Sequence, residues 1–168
     1  VSYGLKITEA YHIFDKTIKT YRNAVHYISD IAMHHYDELK SLESITGNDG
    51  KVIVSAQQRR QQKMERLIHS TANNDATYKR FDKEFYKFPS YLRRDAINTA
   101  IGLILSYRSQ LQKWEDGEKQ CRRPYLNRNQ STMPCFYRNN TFLDSEETNI
   151  VSLKLYNGKD WIWETCGT

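Results

Sequence analysis

The chain has 168 residues, enough for one ordinary core or a small core carrying a helical insertion, so one or two domains fit. Twenty-five Lys and Arg against 20 Asp and Glu leave a net charge of +5, a mild basicity compatible with a polyanion but common among proteins that bind none. No apolar run nears the roughly 20 residues that span a bilayer, and no charged-then-apolar start resembles a secretory signal.

Cys121, Cys135 and Cys166 are widely spaced, with no Cys-x-x-Cys pair. They argue for a reducing compartment and against a zinc site or disulfide framework. The expected location is the cytoplasm. The first residue is Val1 rather than Met, so a processed product or a segment of something longer is expected.

Val1 to Ile7 alternates weakly and reads as a short strand, with Thr8 at a helix-cap position. Tyr11, Phe14, Ile18, Tyr21, Val25, Ile28, Ala32, His35 and Leu39 then recur every three or four residues. This stripe predicts one long amphipathic helix in a bundle wall. On another side of it, His12, Lys16, Lys19, Asn23 and His26 face phosphates or, as is usual for such a row, water. The Gly47-Asn48-Asp49-Gly50 cluster interrupts the helices with a turn. Ser55 with Gln58 forms a capping box for a second helix running to about His69. Its opening, Gln57 to Lys63, is so polar that the helix buries little. It is either a loosely held surface helix or one lying against a hydrated, charged partner such as an RNA duplex.

After a break at Ala72–Asp75, Tyr78, Phe81, Phe85 and Phe88 recur at helical spacing, a pattern that predicts core packing over base stacking. Pro89 presets φ for the next helix, which carries Leu92, Ala96, Ala100, Leu103, Ile104, Tyr107, Leu111 and Trp114 and ends by Gly117. The small residues Ala96, Ala100 and Gly102 are expected to admit another helix closely. Arg93, Arg94 and Asn98 lie on neighbouring turns and are expected to project from one face able to grip a polyanion.

From Lys119 to Leu143 there are five basic residues and no acidic one, interleaved with Tyr125, Phe136, Tyr137 and Phe142. A tyrosine ring stacks on a base or simply packs with its hydroxyl in water. Val151, Leu153 and Leu155 alternate with Ser152, Lys154 and Tyr156, predicting a half-buried strand. Asn157-Gly158 predicts a two-residue hairpin turn, returning with Trp161 and Trp163 on one face. The expected fold class is α+β: a helical bundle inserted into a partial antiparallel β-barrel made of the N-terminal strand and the C-terminal hairpin. Residues 1–8 and 118–168 form the β part and 9–117 the helical insertion. Three strands cannot close a barrel, so further sequence or a covering partner is expected at the open edges.

Three acids, Asp144, Glu146 and Glu147, fall close together, as metal-dependent nucleases require. A polar turn before a strand is the ordinary fate of such a cluster, and no metal site is assigned. His34 and His35 are adjacent and diverge on a helix. No Gly-rich phosphate loop and no nucleophile with a recognisable base occurs, so no catalytic residue is assigned.

The run Lys87 to Asn98 (Lys-Phe-Pro-Ser-Tyr-Leu-Arg-Arg-Asp-Ala-Ile-Asn), continued by Ser106-Tyr107-Arg108-Ser109 and Trp114-Glu115, resembles the TnpB/OrfB family encoded by bacterial transposons. Pro134 to Asn140 and Lys154 to Trp161 share the likeness, which covers about half the chain well. The resemblance implies an RNA-guided DNA nuclease related to type V CRISPR effectors, with a wedge-like β-barrel carrying recognition helices followed by a RuvC-like nuclease. This chain looks like the first half alone. The acidic nuclease residues and zinc cysteines have no counterpart, so it is expected to be inactive by itself, with no cofactor of its own and Mg²⁺ needed only in the absent half.

By the same resemblance, Ser90, Arg93, Arg94 and Asn98 contact target-adjacent DNA and the start of the guide–target hybrid, since Arg reads guanine edges, Asn adenine edges, and either holds phosphate. A local salt bridge of Arg93 or Arg94 with Asp95, Glu84 or Asp82 is the structural alternative. Arg122, Arg123, Arg128, Tyr137 and Arg138 contact guide RNA. The implied partners are guide RNA, target DNA and a separate C-terminal nuclease polypeptide, with no membrane and a bacterial, nucleoid-associated location. The other reading of the residues is a protein-interaction module that completes a partner polypeptide and binds no nucleic acid.

Overall fold

The apolar stripe of the first long segment folds as α1 (Tyr11–His34) in a computed structural model that describes residues 11–118, 122–127, 132–145 and 149–167. The expected strand Val1–Ile7 and its Thr8 cap lie outside the described residues, as do Lys119, Cys121, Arg128, Glu146 and Glu147. Tyr21, Val25, Ile28 and Ala32 are all buried, as their spacing requires. The helix does not run unbroken to Leu39. His35 leaves helical geometry (φ −98°, ψ 20°), and a separate α2 (Tyr36–Ser41) follows. At the break the His35 ring reaches Glu38 through Nδ1 (3.1 Å) and the Tyr78 hydroxyl through Nε2 (3.0 Å), so tertiary contacts set the interruption.

The Gly47–Gly50 turn is the tip of a small antiparallel hairpin of β1 (Ile45–Thr46) and β2 (Val52–Val54), which the turn residues alone did not reveal. The β-branched residues on both sides supply the strand preference. Ser55 caps α3 (Ala56–Ile68): its Oγ accepts from the Gln58 amide at 3.1 Å. Despite its polar start, α3 buries Met64 and Ile68. Next comes the short α4 (Arg80–Glu84), and Phe81, Phe85 and Phe88 are core residues in mutual ring contact, 4.9–6.0 Å between centroids.

Pro89 is the N-cap of α5 (Ser90–Glu115), extended at ψ 136°, and its carbonyl accepts the Arg93 amide at 2.8 Å. Helix α5 packs along α1, with Leu92, Ala96, Ala100, Ile101 and Ile104 in the shared core. Ala96 and Ala100 sit where close packing needs them, whereas Gly102 is exposed, and a Cβ at that position would meet nothing within 4 Å. The helix terminates at Gly117, whose φ of +75° lets the Gly117 and Glu118 amides fold back onto the carbonyls of Trp114 and Lys113.

The C-terminal sheet has the order β3 (Phe142–Asp144), β4 (Ile150–Tyr156), β5 (Trp161–Gly167), antiparallel throughout. With the β1–β2 hairpin, this makes an α+β protein of five helices and two small antiparallel sheets, with no closed barrel among the described residues. The β4–β5 connection is longer than the expected two-residue turn. Tyr156 pairs with Trp161, leaving four residues, and Asn157 Oδ1 accepts from both the Lys159 and Asp160 amides at 2.9 Å. This side-chain turn outcompetes the tighter one because Asn closes the loop with its own carbonyl.

One face of the sheet (Val151, Leu153, Leu155, Cys166) packs on Ile13, Phe14, Phe136 and Phe142. The other face sends Trp161 into the helical core, edge-on to Phe88 at 5.1 Å. Trp163 shares that face but is 42% exposed, with Lys154 Nζ 5.4 Å from its ring centre. Trp161→Ala is therefore expected to cost about 3–5 kcal/mol in urea unfolding, and Trp163→Ala under about 1 kcal/mol. Equal losses would contradict this division of the two rings.

Candidate nucleic-acid interface

Arg93, Arg94 and Asn98 do project together from α5, and what they meet is α3. Arg93 is 7% exposed, and its guanidinium donates to Glu65 Oε1 from Nε (3.3 Å) and Nη2 (3.0 Å), and to the Phe88 carbonyl from Nη1 (3.4 Å). Arg94 Nε stands 3.5 Å from the other Glu65 oxygen. Asn98 Nδ2 donates to Gln61 Oε1 at 3.1 Å, and Asn98 Oδ1 is buried without a partner among the described residues. Gln61 and Glu65 are one turn apart on α3, so one face of a polar helix meets the polar row of α5. The acid engaged is Glu65, and neither arginine is paired with Asp95, Glu84 or Asp82 through any described ion pair. Ser90 is exposed on the first turn. Arg94 remains open along one side, its side chain 46% exposed and its guanidinium 5.5 Å from the Tyr91 ring centre.

The segment from Thr132 to Arg138 lies against α1 and α5. Arg22 on α1 donates from Nε to the Thr132 carbonyl at 3.0 Å. Asp95, 9% exposed, accepts the Tyr21 hydroxyl at 2.6 Å and the Cys135 amide at 3.0 Å through one oxygen. Tyr137 then rests on Tyr91, 5.4 Å between ring centres at 46°. Burial raises the Tyr21 phenol above its ordinary value, and the hydrogen bond to Asp95 adds to this. The Cys135 thiol and the Tyr137 phenol are both raised by burial first, with the Asp95 charge next.

The remaining candidates are more dispersed. Arg138 pairs with Asp144, so that acid is engaged by a loop cation. Arg123 lies over the Trp114 ring at 5.8 Å, near the far end of α5, and Arg122 beside it is exposed. Arg128 lies outside the described residues. The structure thus joins Arg94, Tyr91 and Tyr137 on one surface, turns Arg138 to Asp144, and places Arg123 by the other end of the helix.

Asp95, Tyr21, Glu65 and Tyr91 were not singled out by sequence reasoning as site residues. Asp95 carried a usable signal: a carboxylate between Leu92 and Ala96–Ile97 on a helix whose inward residues are mostly apolar. No group of three or more His, Cys, Asp or Glu side chains is arranged to hold a metal among the described residues. No described helix is long and apolar enough to cross a membrane.

The fold and this surface define an α+β protein in which two long helices carry a basic, aromatic loop and a small antiparallel sheet. The model of the Aq_aa04 family matches residues 1–157, and the chain belongs to that family. No curated protein and no solved structure matches it.

Two outcomes test the Asp95 node. An unfolded Tyr21 ionises near pH 10.0 while the folded one resists, so its contribution to stability is complete below that pH and lost as pH rises above it. The melting-temperature gap between wild type and Tyr21→Phe should be level from about pH 7 to 9 and shrink above about pH 10; parallel curves would oppose it. Separately, the pH midpoint for iodoacetamide alkylation of Cys135, followed on its own peptide by mass spectrometry, should lie above that of the unfolded chain. A midpoint at or below the unfolded value would show that neither burial nor Asp95 acts on the thiol.

Proposed function

We propose that the chain is a nucleic-acid-binding segment of an RNA-guided DNA nuclease of the TnpB/OrfB kind, holding guide RNA and target DNA for a catalytic half on another stretch of polypeptide. In this reading residues 9–117 are the recognition helices, and 1–8 with 118–168 are the wedge-like β part. Ser90, Arg94, Arg122, Arg123, Arg128, Tyr137 and Arg138 contact polynucleotide. Arg93 and Asn98 serve the same surface from beneath, by fixing α5 on α3. Any Mg²⁺ belongs to the nuclease half.

One observation carries the proposal. The start of α5 and the Pro134–Arg138 segment, candidates for different reasons and some forty residues apart, meet as a solvent-facing row of Arg94, Tyr91 and Tyr137. Guanidinium and aromatic groups side by side suit phosphate and base together. A second reading, a module that docks on a partner polypeptide, draws on the β1–β2 hairpin, which carries the exposed Ile45, Val52 and Ile53.

Fluorescence anisotropy across a salt series separates them. Four phosphates neutralised by Arg94, Arg122, Arg123 and Arg138 give a log–log slope of about −2.8 for a single strand and about −3.6 for a duplex. Replacing all four by Ala should flatten it. Wild-type binding that ignores salt, or no binding at all, would defeat the proposal and leave the docking module.

A further inference from the structure

Tyr137 is a large side chain held outward by an unusually well-anchored backbone. Its amide donates to Thr141 Oγ1 at 2.7 Å, and its carbonyl accepts from the amides of Asn140 (3.1 Å), Thr141 (2.9 Å) and Phe142 (3.1 Å). Thr141 is itself buried, and Asn139 turns the chain at φ 64°. Two residues earlier, the Cys135 amide is fixed by Asp95. The ring those bonds position is still 40% exposed. Single exposed rings are ordinary. Here the ring is part of a group, because Tyr91 supports it and the Arg94 guanidinium lies over Tyr91.

We propose that Tyr137, backed by Tyr91 and Arg94, is a stacking ledge for an unpaired base, so that the ligand of this surface is a single-stranded polynucleotide. The proposal rests on the nucleic-acid reading above and narrows it. A duplex presents base edges and hides base faces, whereas a single strand offers faces to any flat side chain. A ring already fixed by its backbone loses little freedom when a base settles on it. The flanking cations match a strand's charge: the side chains of Arg94 and Arg138 are 46% and 72% exposed. Each also faces an acid, Glu65 or Asp144, which offsets part of its charge. Stacking is the contribution of the ledge ring itself, and that contribution is insensitive to salt.

The test is anisotropy titration of the full chain with labelled single-stranded RNA, single-stranded DNA and duplex DNA of equal length. Tyr137→Leu should weaken single-strand binding between about 5-fold and 100-fold, with the salt slope and duplex affinity unchanged, and Tyr137→Phe should bind as wild type. Loss on RNA alone assigns the ledge to ribose-bearing strands, and loss on both assigns it to either. Unchanged single-strand affinity, or an equal loss on duplex, overturns the ledge while leaving polynucleotide binding intact. No wild-type binding to any of the three overturns both. Photocrosslinking of wild-type protein to a 5-iodouracil-substituted strand is independent of how the variant folds. Adducts on Tyr137 or Tyr91 are expected, and adducts confined to other residues overturn the ledge.

Discussion

The Asp95 carboxylate is the constraint on which the rest of the arrangement hangs. It is buried on α5, and a buried anion is tolerable only when its lone pairs are met. The Tyr21 hydroxyl comes from α1 and the Cys135 amide from the distant basic segment, so satisfying one charge fixes three separate parts of the chain. Thr99, one turn along α5, shares the Tyr21 hydroxyl at 3.2 Å and holds the phenol in place. This node, with Arg22 on the Thr132 carbonyl and Tyr137 on Tyr91, keeps a polar, glycine-free loop against two helices.

The second polar layer lies between α3 and α5. Glu65 faces Arg93 and Arg94 of α5, and Gln61 meets Asn98. A buried ion pair of this type contributes little net stability over a well-packed apolar pair, but loss of either partner strands a charge. Its effect is on geometry. The highly polar α3 has one seat on α5, and further polar ties run to the chain before it: Arg60 donates to the Leu39 and Leu42 carbonyls, Arg59 to the Glu43 carbonyl, and Lys63 pairs with Glu38. Arg93 is spent in this frame, which leaves Arg94 as the arginine of the row that reaches the surface.

The sheet is attached at its turn. Thr17 Oγ1 accepts the Tyr156 amide at 2.8 Å, Lys16 Nζ reaches the Asn157 carbonyl at 3.1 Å, and Trp161 fills the space beside Phe88. Lys87, at φ 55°, pairs with Asp160 across the same junction. The residues leading into α5 are thereby tied to the sheet.

Local patterns determined a good deal by themselves. The stripe of α1, the Ser55 cap, the Phe81–Phe85–Phe88 core, the limits of α5 near Pro89 and Gly117, and the alternation of β4 all follow from periodicity, capping and backbone preference, which act over a few residues. The tertiary structure decided what those elements were for. The helix break at His35 depends on Tyr78, and the hairpin loop at Asn157 depends on a side-chain carbonyl. The inward turn of Arg93 depends on Glu65, twenty-eight residues away, and the seat of the basic segment on Asp95. Spacing put Arg93, Arg94 and Asn98 on one face, but whether that face looked to water or to another helix was a matter of long-range packing. No short-range rule contains it, because a charge's partner is set by which elements come together in space.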